Sequence, residues 1–497
     1  MSAIQKVMAR LQRTREPGRG GEAGSPDPAR DPGGLAGAPA GIARRKGRDV
    51  TLLDSAGGLR RAVLTLAVPV IMEQLLNMAV MLVDTWLVGH LGASALAAAG
   101  LANQVVMLVS AIFMAIATGS TALVARRIGA RDQSRANHAL GQSIILGVVM
   151  GGVAMGLGIV FAYQTIAWLG AAPDVVEQGG NYLIVSSSSL ILLAVLNIGN
   201  AALRGAGDTR MPMIIMAVVN VVNIVAAYSL IHGAAGLPAL GVAGSAWGGS
   251  IARGVGGLLV LGVLLSGRRV LRLTGRNVVR VDLREMGRIV NIGVPAGLEQ
   301  AAMRLAQLVF VTFITGLGTA AYAAYQVGIT ALSIAFMPGF AFAVSATTIV
   351  GQGLGMRRPD LSEAGARESW RLATLVMIVM GAVAFLFPEF LLRVFTDDAA
   401  VIEVGTLPLR VAAFGMPGLA ASMVFSGGLR GAGDTWWPLL ITATSLWLVR
   451  TFGGGALVNL FGLGMVGAWV AVDIDMTVRG VLFWWRFRLG RWKLIRL

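Results

Sequence analysis

Cysteine is absent from this sequence, and histidine is nearly so. Without cysteine the chain has no disulfide framework and no thiol chemistry. The three histidines, His90, His138 and His232, lie far apart in the sequence, so a zinc site of the His/Cys kind is not expected. We therefore predict neither a resident metal nor any other cofactor.

Charged residues are also scarce: they make up 13% of the chain, whereas 56% of its residues are hydrophobic. Soluble proteins carry about 25% charged residues. The apolar residues are grouped in runs of roughly twenty, the length that crosses a bilayer. The composition thus indicates a polytopic membrane protein. The net charge of +16 is not taken as a sign of nucleic acid binding, because the arginines lie mainly in the amino-terminal segment and in alternate loops.

An internal repeat organises the sequence. The seven residues Leu203–Thr209 recur unchanged as Leu429–Thr435, an offset of 226 positions. The same offset relates Pro69 to Pro295 and Glu73 to Glu299. We call two residues related in this way repeat mates. A unit written twice is typical of membrane carriers.

Twelve apolar segments account for most of the chain. They lie near 62–88, 100–125, 140–163, 180–203, 211–232, 240–266, 289–315, 323–352, 371–395, 405–428, 437–460 and 464–485. They lack the alternating polarity of barrel strands, so helices are expected. The predicted fold is all-α: twelve transmembrane helices in two pseudo-symmetric six-helix lobes around a central cavity.

The lobe boundaries follow from the segments. Residues 62–266 form the predicted N-lobe and residues 289–485 the C-lobe, joined by a cytoplasmic loop at 267–288. Residues 1–61 are rich in Gly, Pro and Arg and are predicted to be a disordered cytoplasmic tail. Residues 486–497 are predicted to be a basic tail. Arginines cluster in the loops after the second, sixth and eighth segments, which places both termini in the cytoplasm.

The first segment carries three polar residues that a helix would place on one face: Glu73, Asn77 and Asp84. A charge inside a span costs about 2.5–3.5 kcal/mol on insertion scales, so each such charge indicates a functional or structural role. A carboxyl group there can carry a proton, and an ionised carboxylate can bind Na⁺. We predict a coupling-ion site at these residues. The alternative is a hydrogen-bond network that only holds helices together.

Other polar residues in the spans are candidates for lining the cavity. All of them lie inside apolar segments that are predicted to be helices: Asn197, Asn200, Asn220, Asn223, Glu299, Arg304 and Gln307. The asparagines could equally join helices. Arg304 could neutralise a carboxylate of another helix. Asp475 and Arg479 are four residues apart and should form an intrahelical salt bridge.

Two further features concern backbone shape. Pro69 and Pro295 lie inside the first and seventh segments, where proline kinks a helix and could provide a bending point. The repeated heptapeptide is expected to form a helix-turn-helix corner, in which Arg204 contacts lipid phosphate or the last carbonyls of its helix.

Several motifs together resemble the multidrug and toxic compound extrusion (MATE) family, in its bacterial DNA-damage-inducible-like branch. The resemblance rests on Val83-Asp84-Thr85-Trp86-Leu87-Val88-Gly89-His90-Leu91-Gly92, on Val68-Pro69 and on both copies of Leu-Arg-Gly-Ala-Gly-Asp-Thr. It covers about residues 60–495. It implies export of organic cations or other amphipathic drugs against H⁺ or Na⁺, from a bacterial cytoplasmic membrane. It also makes Asp84 a coupling-ion residue.

One position departs from the family pattern. The family often has an aspartate in helix 5 after an Asn-x-x-Asn sequence, whereas here Asn220 and Asn223 are followed by Ala227. Glu73 could take the place of the missing carboxylate. The ion therefore stays open between H⁺ and Na⁺.

Two other functions remain as alternatives. A lipid-linked saccharide flippase of the same superfamily would favour a cavity lined by arginines, but the spans hold few unpaired ones, mainly Arg253, Arg304 and Arg450. An intramembrane enzyme would need a nucleophile–base pair or a metal, and no such arrangement is evident. We expect a monomer in the bilayer with small-molecule substrates and no nucleic acid partner.

Overall fold

The computed structural model describes residues 58–236, 238–275, 281–495 and 497. The predicted tail of residues 1–61 thus lies outside the described residues up to residue 57, and Gly58 already begins the first helix. The described residues form helices joined by short turns, with no strand among them.

The first half contains eight helices that make six spans. They are α1 (Gly58–Gly89), α2 (Ala93–Gly129), α3 (Gln133–Val160), α4 (Ala162–Trp168), α5 (Pro173–Ser188), α6 (Leu190–Gly205), α7 (Arg210–His232) and α8 (Val242–Ser266). The short α4 follows the third span, and α5 and α6 together form the fourth.

The second half repeats this order. Its helices are α9 (Leu283–Thr315), α10 (Thr319–Gly355), α11 (Pro359–Leu386), α12 (Pro388–Arg393), α13 (Ala399–Ala412), α14 (Met416–Gly431), α15 (Trp436–Ser445), α16 (Gly454–Asn459) and α17 (Gly464–Arg488). A π-helical stretch, Leu446–Gly453, joins α15 to α16 in the eleventh span. The predicted all-α fold with twelve spans is confirmed.

Length and apolar composition alone identify fewer spans. Eight helices are long and apolar enough to cross a membrane, and the bent pair α5–α6 makes a ninth. The spans that this criterion misses are the seventh, eleventh and twelfth. Each carries charge, such as Glu299 in α9, Arg450 in the π stretch and Arg479 in α17.

The fourth span is bent by 52° between α5 and α6. Serines surround the break: Ser189 Oγ donates to the Ser186 carbonyl at 2.8 Å, and Ser188 Oγ donates to the Val185 carbonyl at 2.7 Å. Such hydroxyls compete with the helical ladder and satisfy carbonyls that the bend releases. The break therefore follows from a local sequence feature.

The two lobes meet at one end of the bundle, where α2 and α10 finish next to Arg126 and Arg357. We call this the arginine-rich end. A Cβ atom at Gly129 would collide with the Gln352 carbonyl, and one at Gly355 with the Arg126 carbonyl. Since these are two sets of repeat mates, the contact is pseudo-symmetric. Only glycine lets the backbones approach this closely.

Further contacts lock the lobes together at this end. Thr348 Oγ1 and Gln352 Nε2 of α10 donate to the carbonyls of Arg204 and Gly205 of α6, at 3.0 and 3.2 Å. The first turns of each lobe also pack in the other: Val63 of α1 joins the C-lobe core, and Ile289 of α9 joins the N-lobe core. The beginning of each lobe is thus buried in its counterpart.

Both predicted cytoplasmic segments are shorter than expected. The helix α9 begins at Leu283, where Asp282 Oδ1 accepts the amides of Arg284 and Glu285 at 3.0 and 3.1 Å. The Glu285 amide and His138 hold the pKa of Asp282 below its usual range. At the carboxyl end, α17 continues to Arg488, and Trp492 is buried against Phe487. The predicted basic tail is therefore a packed part of the C-lobe.

The glycine contact between α2 and α10 is testable by adding one methyl group. We expect Gly355→Ala to lower the apparent melting temperature in detergent, because the new Cβ must displace the Arg126 carbonyl. Overpacking of this kind typically costs about 1–3 kcal/mol. Gly100→Ala is the control, since a Cβ there meets nothing within 4 Å. Equal melting temperatures for the two variants would contradict the close contact.

Candidate functional site

Asp84 lies in a polar seam between α1 and α7. Asn223 Nδ2 donates to Asp84 Oδ2 at 2.8 Å. One turn or more away, Asn220 Nδ2 is 3.5 Å from Asn77 Oδ1, and Asn77 Nδ2 is 3.4 Å from Gln74 Oε1. The helix period that places Asn77 and Asp84 on one face of α1 also places Asn220 and Asn223 on the facing side of α7.

The seam holds oxygens without donors. Asp84 Oδ1 and Asn223 Oδ1 are buried and have no hydrogen-bond partner, and the same is true of Asn200 Oδ1 in α6. Leaving a buried acceptor unpaired costs about 1–3 kcal/mol. The seam can therefore accept a proton or a small cation at Asp84. No group of three or more His, Cys, Asp or Glu suited to a metal occurs in the described part of the chain.

Arg253 of α8 approaches the same seam from the other side. Its Nη1 donates to Ser189 Oγ at 3.2 Å and lies 3.5 Å from the Ser186 carbonyl, at the break of the fourth span. A Cβ on Gly249 would lie 3.1 Å from Arg253 Nη2 and 3.8 Å from Asn223 Oδ1. The arginine and asparagine side chains therefore lie on either side of Gly249, with no side chain at that position.

Glu73 belongs to a different site. Arg204 Nη1 donates to its carboxylate at 2.8 Å, and both side chains are mostly buried, with 13% and 7% exposed. The expectation that Arg204 contacts lipid phosphate or helix carbonyls is wrong, because the guanidinium turns inward to this acid. The structure thus brings Asp84 and Asn223 together and gives Glu73 its own cation.

The C-lobe repeats the Glu73–Arg204 pair. Arg430 Nη2 donates to Glu299 Oε2 at 2.7 Å, and Thr442 Oγ1 donates to Glu299 Oε1 at 2.8 Å. Glu299 and Arg430 are the repeat mates of Glu73 and Arg204. In each copy, the arginine of the heptapeptide therefore pairs with the glutamate of the first span in the same lobe. The heptapeptide also forms the expected corner, in which Gly207 has a φ of 92°.

The C-lobe has no counterpart of Asp84. Its repeat mate is Phe310, which is fully buried, and the Arg450 guanidinium lies 5.2 Å from the centre of this ring. Arg479 forms the expected intrahelical salt bridge with Asp475 at 2.7 Å. Glu299 and Asp475 of the C-lobe are thus paired with cations, whereas Asp84 of the N-lobe, like Asp473 of α17, keeps a buried oxygen without a hydrogen-bond partner.

The remaining predicted residues are more dispersed. Arg304 and Gln307 are exposed on α9, and Arg304 Nη2 lies 3.4 Å from Met107 Sδ rather than beside a carboxylate. Asn197 is half-buried on α6. Pro69 and Pro295 are buried inside α1 and α9. A cavity-lining or bending role for these residues stays a prediction.

Sequence reasoning missed the two ion pairs. The signal was present, since Glu73 and Arg204 are 131 residues apart, as are Glu299 and Arg430. An acid and a base that recur together at one separation in both repeats are candidates for a contact. Arg253 has no such signal, because its place beside the seam depends on the bend at Ser189.

Comparison with known proteins places this geometry in a family. The sequence model of the MatE family matches residues 69–229 and 295–454. The chain is 31% identical to the probable multidrug resistance protein NorM of Thermotoga maritima, over 88% of this chain and 93% of that protein. It is 25% identical to the uncharacterized transporter YisQ of Bacillus subtilis, over 85% and 93% of the two chains. The more specific DNA-damage-inducible-like branch stays a prediction.

Solved structures share the fold. A crystal structure of MATE in complex with MaL6 superposes with a TM-score of 0.83 at 23% identity, covering 90% of this chain and 99% of that one. An outward-facing multidrug resistance MATE transporter of the MOP superfamily superposes with a TM-score of 0.81, also at 23% identity, over 88% and 98% of the chains. Both comparisons support the twelve-helix architecture.

The repeated ion pairs are testable by removing one partner and then both. Glu299→Gln should lower the apparent melting temperature, because it leaves the Arg430 charge in the bundle without a counter-ion; breaking a buried pair costs about 3–5 kcal/mol. Glu299→Gln with Arg430→Gln should be less destabilised than Glu299→Gln alone. Asp360→Asn, in a pair whose side chains are 57% and 62% exposed, is the control and should change little. A double variant no more stable than the single one would show that the pair is not an energetic unit.

Proposed function

The chain belongs to the MatE family, and on that premise we propose that it is a secondary active exporter of cationic or amphipathic organic compounds. Export is driven by the entry of H⁺ or Na⁺ and proceeds by alternating access of two lobes. The name of the Thermotoga maritima relative supports a range of drugs as substrates. As a family of transporters, not enzymes, it requires no cofactor for this exchange.

The observation that carries the proposal is the Asp84 carboxylate, which is the one acid among the described residues of the N-lobe with a buried oxygen that has no hydrogen-bond partner. An ionised Asp84 adds negative charge to the seam and favours a cationic substrate nearby. Binding of the coupling ion neutralises that charge and releases the substrate. Each net charge that enters is worth about 2.3 kcal/mol per 100 mV, or roughly fortyfold accumulation of an uncharged substrate, whereas one ion exchanged for one monovalent cation is driven by the ion gradient alone.

Loop charge supports an orientation. Since arginines accumulate on the cytoplasmic side of membrane proteins, we propose that the arginine-rich end faces the cytoplasm of a bacterial cell and that both termini lie there. The described arrangement, with its lobes locked at that end, is then the one closed to the cytoplasm. Alternating access requires those contacts to separate, while the exporter works as a monomer.

The role of Asp84 is testable in proteoliposomes. Under an imposed proton gradient, exchange of one H⁺ for one ethidium cation can support about tenfold ethidium accumulation per pH unit, and Asp84→Asn should reduce it toward one, because the site can no longer change charge. Ethidium binding in detergent should persist and lose its dependence on pH. Thr85→Val is the matched control, since Thr85 Oγ1 only bonds the Met81 carbonyl of its own helix. Wild-type accumulation by Asp84→Asn would remove Asp84 from the mechanism, and lipid movement without drug exchange would favour the flippase.

The neighbours of Asp84 favour H⁺ as the ion. A hard cation such as Na⁺ needs several oxygen ligands, whereas a proton needs one. Here Ala227 stands where the family often has a second carboxylate, and the charge of Arg253 opposes another cation. We infer that Asp84 exchanges a proton.

This inference predicts the response to sodium. Drug efflux by the wild type should follow a pH gradient and be unchanged by a Na⁺ gradient. Ala227→Asp combined with Arg253→Gln should add Na⁺ dependence, because it supplies a carboxylate and removes the opposing charge. Ala227→Asn with Arg253→Gln is the uncharged control. Sodium-driven efflux by the wild type would identify Na⁺ as the ion.

A further inference from the structure

A cavity of about 630 Å³ lies at the arginine-rich end, between the two lobes. The end of α2 and the start of α3 contribute from the N-lobe, and the start of α9 and the end of α10 from the C-lobe. Five arginines line the cavity: Arg126, Arg127, Arg135, Arg288 and Arg357. Three acids and one histidine also line it, so its side chains carry an excess of positive charge.

The acids are already engaged. Glu285 pairs with Arg127 at 2.5 Å and with Arg288 at 3.2 Å. Asp132 pairs with Arg135 at 3.3 Å, and Asp282 lies 3.2 Å from His138 Nε2 and accepts the amides of Arg284 and Glu285. These contacts leave no carboxylate of the cavity for the two remaining arginines.

Those two arginines come from different lobes. Arg126 of α2 uses Nη2 to donate to the Ile495 carbonyl at 2.7 Å, but its Nη1 is buried and has no hydrogen-bond partner. Arg357 follows α10 and makes no ion pair with any described residue. A cavity lined by a buried, unpaired guanidinium nitrogen of one lobe and by an arginine of the other lobe without an ion pair is suited to an anion.

The backbone at Arg357 supports this assignment. Arg357 has a φ of 56°, and its repeat mate Arg131 has a φ of 58°; they are the two non-glycine residues with positive φ in the described ranges. Glycine adopts this conformation after a helix without strain. Both repeats nevertheless have arginine there, and strained backbone of this kind concentrates at functional sites.

We propose that this cavity binds a phosphate-bearing anion that bridges Arg126 and Arg357 and thereby holds the two lobes together. Arginine recognises phosphate oxygens through paired charge-assisted hydrogen bonds. The phosphate belongs either to the headgroup of an anionic phospholipid or to a small soluble compound.

The proposal has a consequence for transport. Separation of α2 from α10 at this end pulls the two guanidinium groups apart, so the anion binds the described arrangement and not the opened one. A ligand with such a preference shifts the population toward the state it binds. The anion therefore slows the opening of the lobes at the arginine-rich end. This effect is independent of which ion Asp84 carries.

Opening of the lobes can be measured with spin labels on two introduced cysteines, because the chain has no cysteine of its own. Leu91→Cys with Leu317→Cys places spin labels on exposed repeat mates in the turns at the other end of the lobes. Distance distributions are measured in neutral-lipid nanodiscs with increasing inorganic phosphate, at constant ionic strength set with chloride. A second arm replaces the phosphate by an anionic phospholipid in the nanodisc. Drug efflux is measured in parallel.

Three variants separate anion binding from general charge effects. Arg126→Gln introduces the residue that its repeat mate, Gln352, already has. Arg357→Gly relieves the positive φ and removes the guanidinium. Arg371→Gln is the control, because that side chain is 66% exposed and pairs only at the surface with Glu368.

The expected result is that phosphate or anionic lipid narrows the distance distribution of the wild type and of Arg371→Gln and slows their efflux. For Arg126→Gln, the anion concentration that gives half of this effect should rise at least about tenfold. Arg357→Gly should raise the apparent melting temperature without anion and lose the response to it. A response in one arm only identifies the source of the phosphate. No response in either arm, or equal responses in all variants, would overturn the proposal.

Discussion

A charge inside an apolar bundle must find a partner, and this constraint underlies the arrangement of both lobes. Lipid offers no counter-ion, and three acids within the spans are met by a cation from another helix or from the next helical turn. Glu73 takes Arg204, Glu299 takes Arg430, and Asp475 takes Arg479. The first two of these contacts tie the first span of each lobe to the fourth, and the third lies within α17. Asp84 and Asp473 each keep one buried oxygen unpaired, and the transport hypothesis uses Asp84, whose partner is a neutral amide.

Duplication kept the geometry of the two halves and let their chemistry diverge. The Glu–Arg pairs and the glycine contacts between α2 and α10 recur in both copies. At the position of Asp84, however, the second copy has Phe310, over which Arg450 lies. At the position of Arg126 it has Gln352. A pseudo-symmetric frame can thus hold an ion site in one lobe and an asymmetric, positively charged cavity on the axis between the lobes.

The same backbone contacts connect these features. The carbonyls of Arg204 and Gly205, which accept from α10 of the other lobe, belong to the heptapeptide whose guanidinium is bound by Glu73. The acid therefore fixes the end of α6 against which α10 packs. In the proposed mechanism Glu73 therefore positions the lobe interface, and the change of charge is assigned to Asp84. This division of labour explains how two carboxylates on one helix face can serve different purposes.

The sequence by itself determined the twelve helices, the two-fold repeat and the shared face of Asp84 and Asn77, because apolar length, a constant offset and helical period are local properties of the chain. Only the tertiary structure decided which cation meets which acid. Arg204 lies 131 residues from Glu73, and Arg253 of α8 donates to Ser189, 64 residues away, at the bend of the fourth span. Partners so distant in sequence are chosen by packing and by the cost of leaving a buried charge alone, which no local pattern encodes.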